Sequence, residues 1–345
     1  MLSINWDMVN SIVPNFHIRQ IRDNVFVGNA LLMRLKSRIK RRALGKVIVA
    51  PLRIAMEGGG GDWYSGTDTH DTTIRNPITA ANFFAKNCIV PYAIDEGEEL
   101  EATTQEAVLN LLEEKSENAE ETMRYLLSVG LFNAGTNAKA IGGLQYALPY
   151  AATAYIGSQS YGGITCGGSA VASDTAGYWQ PSVDSNAGAH YDTGALGDFM
   201  QSAYNPVAKM LANIFVRCGK QPTLIVSNAG SWTDYHNSIA KNERYDRPQQ
   251  NTELAKAGFT NLMYRTMPWV QDALAPRNSS TGLEYVYLID ENSLNIYWDP
   301  RRDYFFDPFR KPHNQSVKTA YIKNRLELIF RERRSSGMIS VLAPL

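Results

Sequence analysis

Four segments follow one another in an order that leaves few folds open. An acid-free basic stretch comes first: Arg34, Lys36, Arg38, Lys40, Arg41, Arg42 and Lys46. A β-rich segment, 47–54, then leads into Gly58-Gly59-Gly60-Gly61 and a polar run through Thr73, and a second β-rich segment spans 82–90. Glycine and polar residues between two strands predict a long hairpin, and a loop of this length inside a compact domain is usually functional. Next comes an acidic helix, 103–132, which opens on Thr103-Thr104-Gln105-Glu106, a capping-box pattern. Its apolar clusters, Val108, Leu111, Leu112 and Met123, Leu126, Leu127, flank a polar middle, so the helix is expected to lie across a surface.

The charges are segregated. The 345 residues carry 34 basic and 34 acidic side chains, so net charge is zero. Residues 95–121 hold eleven acids against Lys115 alone. Opposite charge on separate segments suits subunits that attract one another, with the basic arm meeting acids of a neighbour first and nucleic acid second. No aromatic residues interleave the basic cluster as a base-stacking site would require.

The remaining chain reads as α+β. Residues 141–149, Ile-Gly-Gly-Leu-Gln-Tyr-Ala-Leu-Pro, lead into a Gly/Ser/Ala/Tyr-rich stretch to about 200. Asn205-Pro206 opens a helix whose apolar face carries Val207, Met210, Leu211, Ile214, Phe215 and Cys218, ended by Pro222. A short buried strand at 223–227 and a helix opening at Ser231-Trp232-Thr233-Asp234 follow. Strands are expected at 285–290, 294–298, 316–331 and 337–342, with a loop at 299–312.

No pocket chemistry stands out. The four glycines lack the Lys-Ser/Thr of a phosphate-binding loop, and no Gly-x-Ser-x-Gly, His-Glu-x-x-His or Cys-x-x-Cys occurs. Asp68-Thr69-His70-Asp71 carries metal-ligand types but sits among glycines and threonines, and the five histidines are dispersed. No catalytic residue, cofactor or metal is expected. Cys88, Cys166 and Cys218 are too sparse for a disulfide framework and are expected as buried thiols. The opening residues have neither a basic start nor a long apolar stretch, so neither a secretory leader nor a membrane span is expected.

This order of segments resembles the major capsid proteins of tailed double-stranded DNA bacteriophages, of the Hong Kong 97 type. The resemblance implies an α+β fold with an N-terminal arm at 1–45 and an extended E-loop hairpin at 46–88. It further implies a peripheral domain with a spine helix at 89–141 plus 312–345, and an axial domain at 142–311. It implies a non-catalytic virion protein, assembled in the host bacterial cytoplasm, that forms hexamers and pentamers around DNA. A separate scaffolding protein, a portal and a decoration protein are the implied partners. Residues 47–85 hold no lysine, which argues against the covalent cross-linking that some members perform from the E-loop. An encapsulin-type compartment shell is the alternative of the same fold. A hydrolase or glycan-binding module is the alternative of another class, suggested by 18 tyrosines and six tryptophans.

Subunit contacts are expected at three places. The first is the arm: Arg34, Lys36, Arg38, Lys40, Arg41 and Arg42. The second is the hairpin tip: Gly58, Gly59, Gly60, Gly61, Asp62 and Trp63. The third is the 299–312 loop, through Arg301, Arg302, Asp303, Phe305, Phe306 and Arg310, where mixed charge and aromatics favour interfaces.

Overall fold

In a computed structural model the protein is described over residues 30–53, 63–69, 78–101, 105–149, 160–166, 173–174, 179–185, 204–240, 261–277, 283–313 and 315–342. The described chain enters through helix α1 (Ala30–Leu35), followed by strand β1 (Ile39–Arg41). Strands β2 (Ile48–Arg53) and β3 (Ile78–Phe83) form the hairpin, paired antiparallel from Ile48–Phe83 to Arg53–Ile78. The single strand expected at 82–90 is instead two: β3 ends at Phe83 and β4 (Lys86–Asp95) begins a different sheet. The break arises because β3 pairs with β2 whereas β4 runs along a C-terminal strand. Helix α2 (Glu96–Glu101) leads to the long helix α3 (Gln105–Leu131); the capping residues 102–104 lie outside the described residues.

Two sheets organise the core. The first is built on the 14-residue strand β15 (Val317–Phe330), which pairs with β4 along 317–326. It also carries β14 (Phe305–Arg310) near its start and β13 (Leu294–Trp298) at its end, and β1 lies parallel on β13. Ala320, Ile322 and Leu326 are buried at alternate positions, as the two-residue period of a half-covered strand requires. From Leu326 to Phe330 every residue is buried, so both faces of the strand are covered there. The second sheet has six strands, ordered β10 (Asn261–Tyr264), β11 (Met267–Gln271), β9 (Leu224–Ser227), β12 (Leu283–Ile289), β16 (Gly337–Leu342) and β8 (Ser182–Ser185).

Helices α4 (Leu144–Ala147), α5 (Tyr204–Cys218) and α6 (Ala229–Ala240) complete the frame. Val207, Met210, Leu211 and Ile214 of α5 pack with Ile225, Trp269, Val286 and Leu288 on one face of the six-stranded sheet. Leu224, Val226, Tyr287 and Ile289 point to the other face and join the main core with Phe132, Leu144 and Leu148. Phe215, expected on the buried face of α5, is instead 53% exposed. It lies about 100° round the helix from Ile214, beyond the width of the sheet contact. Helix α6 begins at Ala229, before the expected Ser231 cap; the Ser231 hydroxyl donates to the buried Glu284 carboxylate at 2.8 Å.

The chain crosses repeatedly between the two sheets. Strands β12 and β13 are sequence neighbours yet belong to different sheets, and so do β15 and β16. The anticipated division of 89–141 plus 312–345 from 142–311 therefore does not follow the sheets. β13 and β14 lie with β15, whereas β16 lies with β12.

The passage at 141–149 turns the chain off the end of α3. A Cβ at Gly143 would stand 2.2 Å from the Asn133 amide nitrogen, so only glycine allows that approach. Cys88 and Cys218 are free and only partly buried rather than fully buried; burial still pushes the Cys88 thiol up to about 11. Among the described residues no helix is long and apolar enough to cross a membrane.

Candidate assembly surfaces

The end of the basic arm is docked on its own subunit. Leu31, Leu32 and Leu35 of α1 are buried in the main core, each contributing roughly 1.5–3 kcal/mol. β1 then pairs with β13 and carries the arm across the 290–303 segment. Arg34 Nε donates to Glu291 Oε1 at 2.7 Å, Arg38 Nη2 to Asn292 Oδ1 at 2.8 Å, and Arg41 Nε to Asp303 Oδ2 at 3.0 Å. Arg301 grips Asp299 through Nε and Nη2 and reaches the Leu44 carbonyl at 3.0 Å, while the Leu44 amide donates to Asp299 Oδ2. The Arg301 guanidinium holds the Asp299 carboxyl down at about 2.

These contacts engage residues that the sequence offered for subunit contacts. Within the subunit, the acids that meet Arg34 and Arg41 are Glu291 and Asp303 of the same chain. Arg301 and Asp303 likewise serve an internal clasp, because the β1–β13 pairing brings the arm within reach of that turn. The acidic segment has cations of its own, with Glu98 on Lys115 at 2.7 Å and Glu96 on Lys311. Lys40 and Arg42 are exposed and make no ion pair among the described residues, and Lys36 is also exposed.

The expected loop at 299–312 is a 3-10 turn (Pro300–Arg302) followed by β14. Phe306 is only 7% exposed, and with Phe309 it surrounds the Tyr92 ring. It is a core residue, which corrects its placement at a contact. The register shift between Asp307 and Arg310 explains why Phe306 and Phe309, three residues apart, both face inward. Arg302, Phe305 and Arg310 remain outward. The Arg302 guanidinium lies 5.3 Å from the Phe305 ring centroid.

The hairpin behaves oppositely. Its inner face, Ala50, Leu52, Ala81 and Phe83, closes on the 160–164 turn between β5 (Ser160–Tyr161) and β6 (Ile164–Cys166). The Asn82 amide donates there to the Gly162 carbonyl at 2.8 Å. Gly162 has φ +64°, and a Cβ on it would meet Ala81 at 2.7 Å. The outer face presents Val47, Val49 (59% exposed), Pro51, Ile78 (64%) and Phe84 to solvent. Trp63 and Tyr64 are exposed; Gly58, Gly59, Gly60, Gly61 and Asp62 lie outside the described residues, as do His70 and Asp71 of the candidate metal ligands. Among the described residues no cluster of three or more His, Cys, Asp or Glu could hold a metal.

Helix α3 supplies a surface that sequence reasoning missed. Leu112, Ser116, Ala119, Met123, Leu127 and Leu131 are buried. Glu113, Glu117, Glu121, Tyr125 and Val129 are exposed at successive i, i+4 positions, forming one outward ridge, acidic and then apolar. Leu126, read from the sequence as part of an apolar cluster, also faces out. The i, i+4 spacing was legible, but nothing in it says which ridge the subunit covers.

Behind these surfaces sits a buried polar cluster, also missed. Glu327 Oε1 accepts from the Gly142 amide at 2.8 Å, and burial lifts its carboxyl to about 7. The Arg333 guanidinium donates to the Ala147 carbonyl and lies 4.6 Å from the Tyr161 ring centroid. The Tyr161 hydroxyl accepts from the Phe330 amide.

No family model and no curated protein matches the sequence. Solved structures do match in fold. A capsid protein of cyanophage A-1(L) aligns over 91% of this chain and 92% of its own, with TM-score 0.61 and 16% identity. The SrpI encapsulin of Synechococcus elongatus PCC 7942 aligns over 91% and 87%, with TM-score 0.54 and 8% identity. A protein of Mycobacterium phage Bobi aligns over 88% and 89%, with TM-score 0.52 and 12% identity. The chain therefore has the mixed α+β fold shared by phage capsid and encapsulin subunits.

Proposed function

We propose that this chain is a major capsid protein, a non-catalytic subunit that assembles into hexamers and pentamers of an icosahedral shell enclosing double-stranded DNA. In this reading the β2–β3 hairpin is the E-loop, α3 is the spine helix, and the six-stranded sheet with α5 and α6 is the axial domain. A separate scaffolding protein, a portal and a decoration protein are its proposed further partners.

One observation carries the reading. The subunit leaves an apolar ribbon (Val47, Val49, Ile78, Phe84) and an apolar end of a helix ridge (Tyr125, Leu126, Val129) in water. Exposed apolar surface of this kind marks interaction sites. The ribbon of one copy laid on the ridge of the next covers both. The acidic half of the same ridge restricts that contact to the last turns of α3. Each contact is modest, and a closed shell multiplies it through multivalency.

Val49→Asp with Ile78→Asp tests the reading. Both side chains face solvent, so the variant subunit should fold as the parent does while particles fail to form. Normal particle yield from the variant would refute the ribbon's role. An encapsulin-type shell is the second reading, because an encapsulin shares the fold. Nuclease-protected DNA in purified particles separates the two.

A further inference from the structure

A cleft of about 430 Å3 opens between the end of the hairpin and the turn after β15. Pro51, Leu52, Arg53, Trp179, Asn292, Ser293, Arg331, Glu332 and Arg334 line it. Three of these are arginines, Arg53 from the hairpin and Arg331 and Arg334 from the turn after β15. The local acids are already engaged: Glu332 Oε2 accepts from Lys220 Nζ at 2.5 Å, and Glu291 holds Arg34. Arg38, beside the cleft, donates to the neutral Asn292. Arg53 and Arg331 are exposed and have no acid partner among the described residues. Beneath Trp179, with its guanidinium 5.6 Å from that ring centroid, the buried Arg333 adds a fixed positive charge.

We propose that this cleft is an oxyanion site that takes a phosphate group, either free or within a nucleic-acid backbone. Guanidinium groups present paired N–H donors that match phosphate oxygens bidentately. Several of them around one cleft exceed the charge of a single carboxylate, whereas a phosphate offers more acceptor oxygens and more charge. Asn292 adds an exposed polar side chain, whereas the Ser293 hydroxyl is buried and donates to the Asp290 carbonyl at 2.8 Å. The proposal concerns the subunit itself and holds whether or not the chain builds a shell.

The test uses the purified full chain and two probes, inorganic phosphate and a short DNA duplex. Arg53→Gln with Arg331→Gln is compared with Lys40→Gln plus Arg42→Gln, an exposed basic pair outside the cleft. Thermal unfolding should be unchanged in both, because all four side chains are exposed. The cleft variant should bind duplex on the order of tenfold more weakly, and its salt slope should fall by about 2, one for each lost phosphate contact. The control pair should change binding less. Loss of phosphate binding without any duplex binding would assign the site to free phosphate; loss of duplex binding would assign it to the backbone. The proposal is overturned if both probes bind the cleft variant as they bind the parent, if neither probe binds the parent, or if the control pair loses as much.

Discussion

The β2–β3 hairpin and the 299–312 segment contain similar ingredients, apolar side chains beside arginines, and turn them in opposite directions. On the hairpin, alternation sends Ala50 and Leu52 inward and leaves Val49 and Pro51 in water. On β14, the register shift sends both Phe306 and Phe309 inward and leaves Phe305 and the charges outside. The arginines differ in the same way. Arg301 is clasped to Asp299 and Leu44, whereas Arg53, at the end of β2, meets no acid among the described residues. Composition marks a segment as suited to contact, but strand register decides whether that contact is with its own core or with something outside.

The largest expected effect tests the inward side of this contrast. Phe306→Ala should destabilise the subunit by about 3–5 kcal/mol, the cost of a large-to-small change in a packed core. Phe305→Ala, at a position 44% exposed, should cost less than about 1 kcal/mol. Denaturant unfolding of the two variants checks this, and equal losses would break the contrast.

Glu327 extends it to a buried charge. Its folded carboxyl titrates near 7, above the ordinary 4.5. The unfolded chain therefore loses this proton first. Stability should be unpenalised below about pH 4.5, should fall as pH rises toward 7, and should stay reduced above that. Glu327→Gln keeps an acceptor for Gly142 and should gain roughly 2 kcal/mol at pH 8 with little change at pH 4. A pH series of unfolding midpoints reads the difference.

The smallest effect belongs to the exposed clasp. Arg41 is half exposed in its pair with Asp303, so a double-mutant cycle on these two residues should return a coupling below about 1 kcal/mol. A much larger coupling would mean that the arm is held by charge rather than by Leu31, Leu32 and Leu35.

Much of the frame was legible in the sequence because periodicity reports burial. The long helix, the α5 face from Val207 to Ile214, the first hairpin strand and the closing strands at 317–330 and 337–342 all follow from it. Partner choice between segments far apart in sequence was not legible. Nothing local in Arg34 or Arg41 says that β1 will lie on β13 and meet Glu291 and Asp303, some 260 positions later. The split of β12 from β13 and of β15 from β16 is hidden for the same reason, since each strand reads alike in either sheet. Phe306 was misplaced because nothing local says which face of β14 the subunit covers, and the register shift after Asp307 then turns Phe309 to the same side. The outward ridge of α3 was missed because its i, i+4 pattern is only visible as outward once β4 has covered the opposite face.

Electron microscopy of particles grown from the purified chain tests the central claim most directly. The account predicts closed icosahedral particles in which the β2–β3 ribbon of each subunit lies along the Tyr125–Val129 end of a neighbouring α3. Discrete monomers under all assembly conditions, or shells in which that ribbon faces solvent, would contradict it.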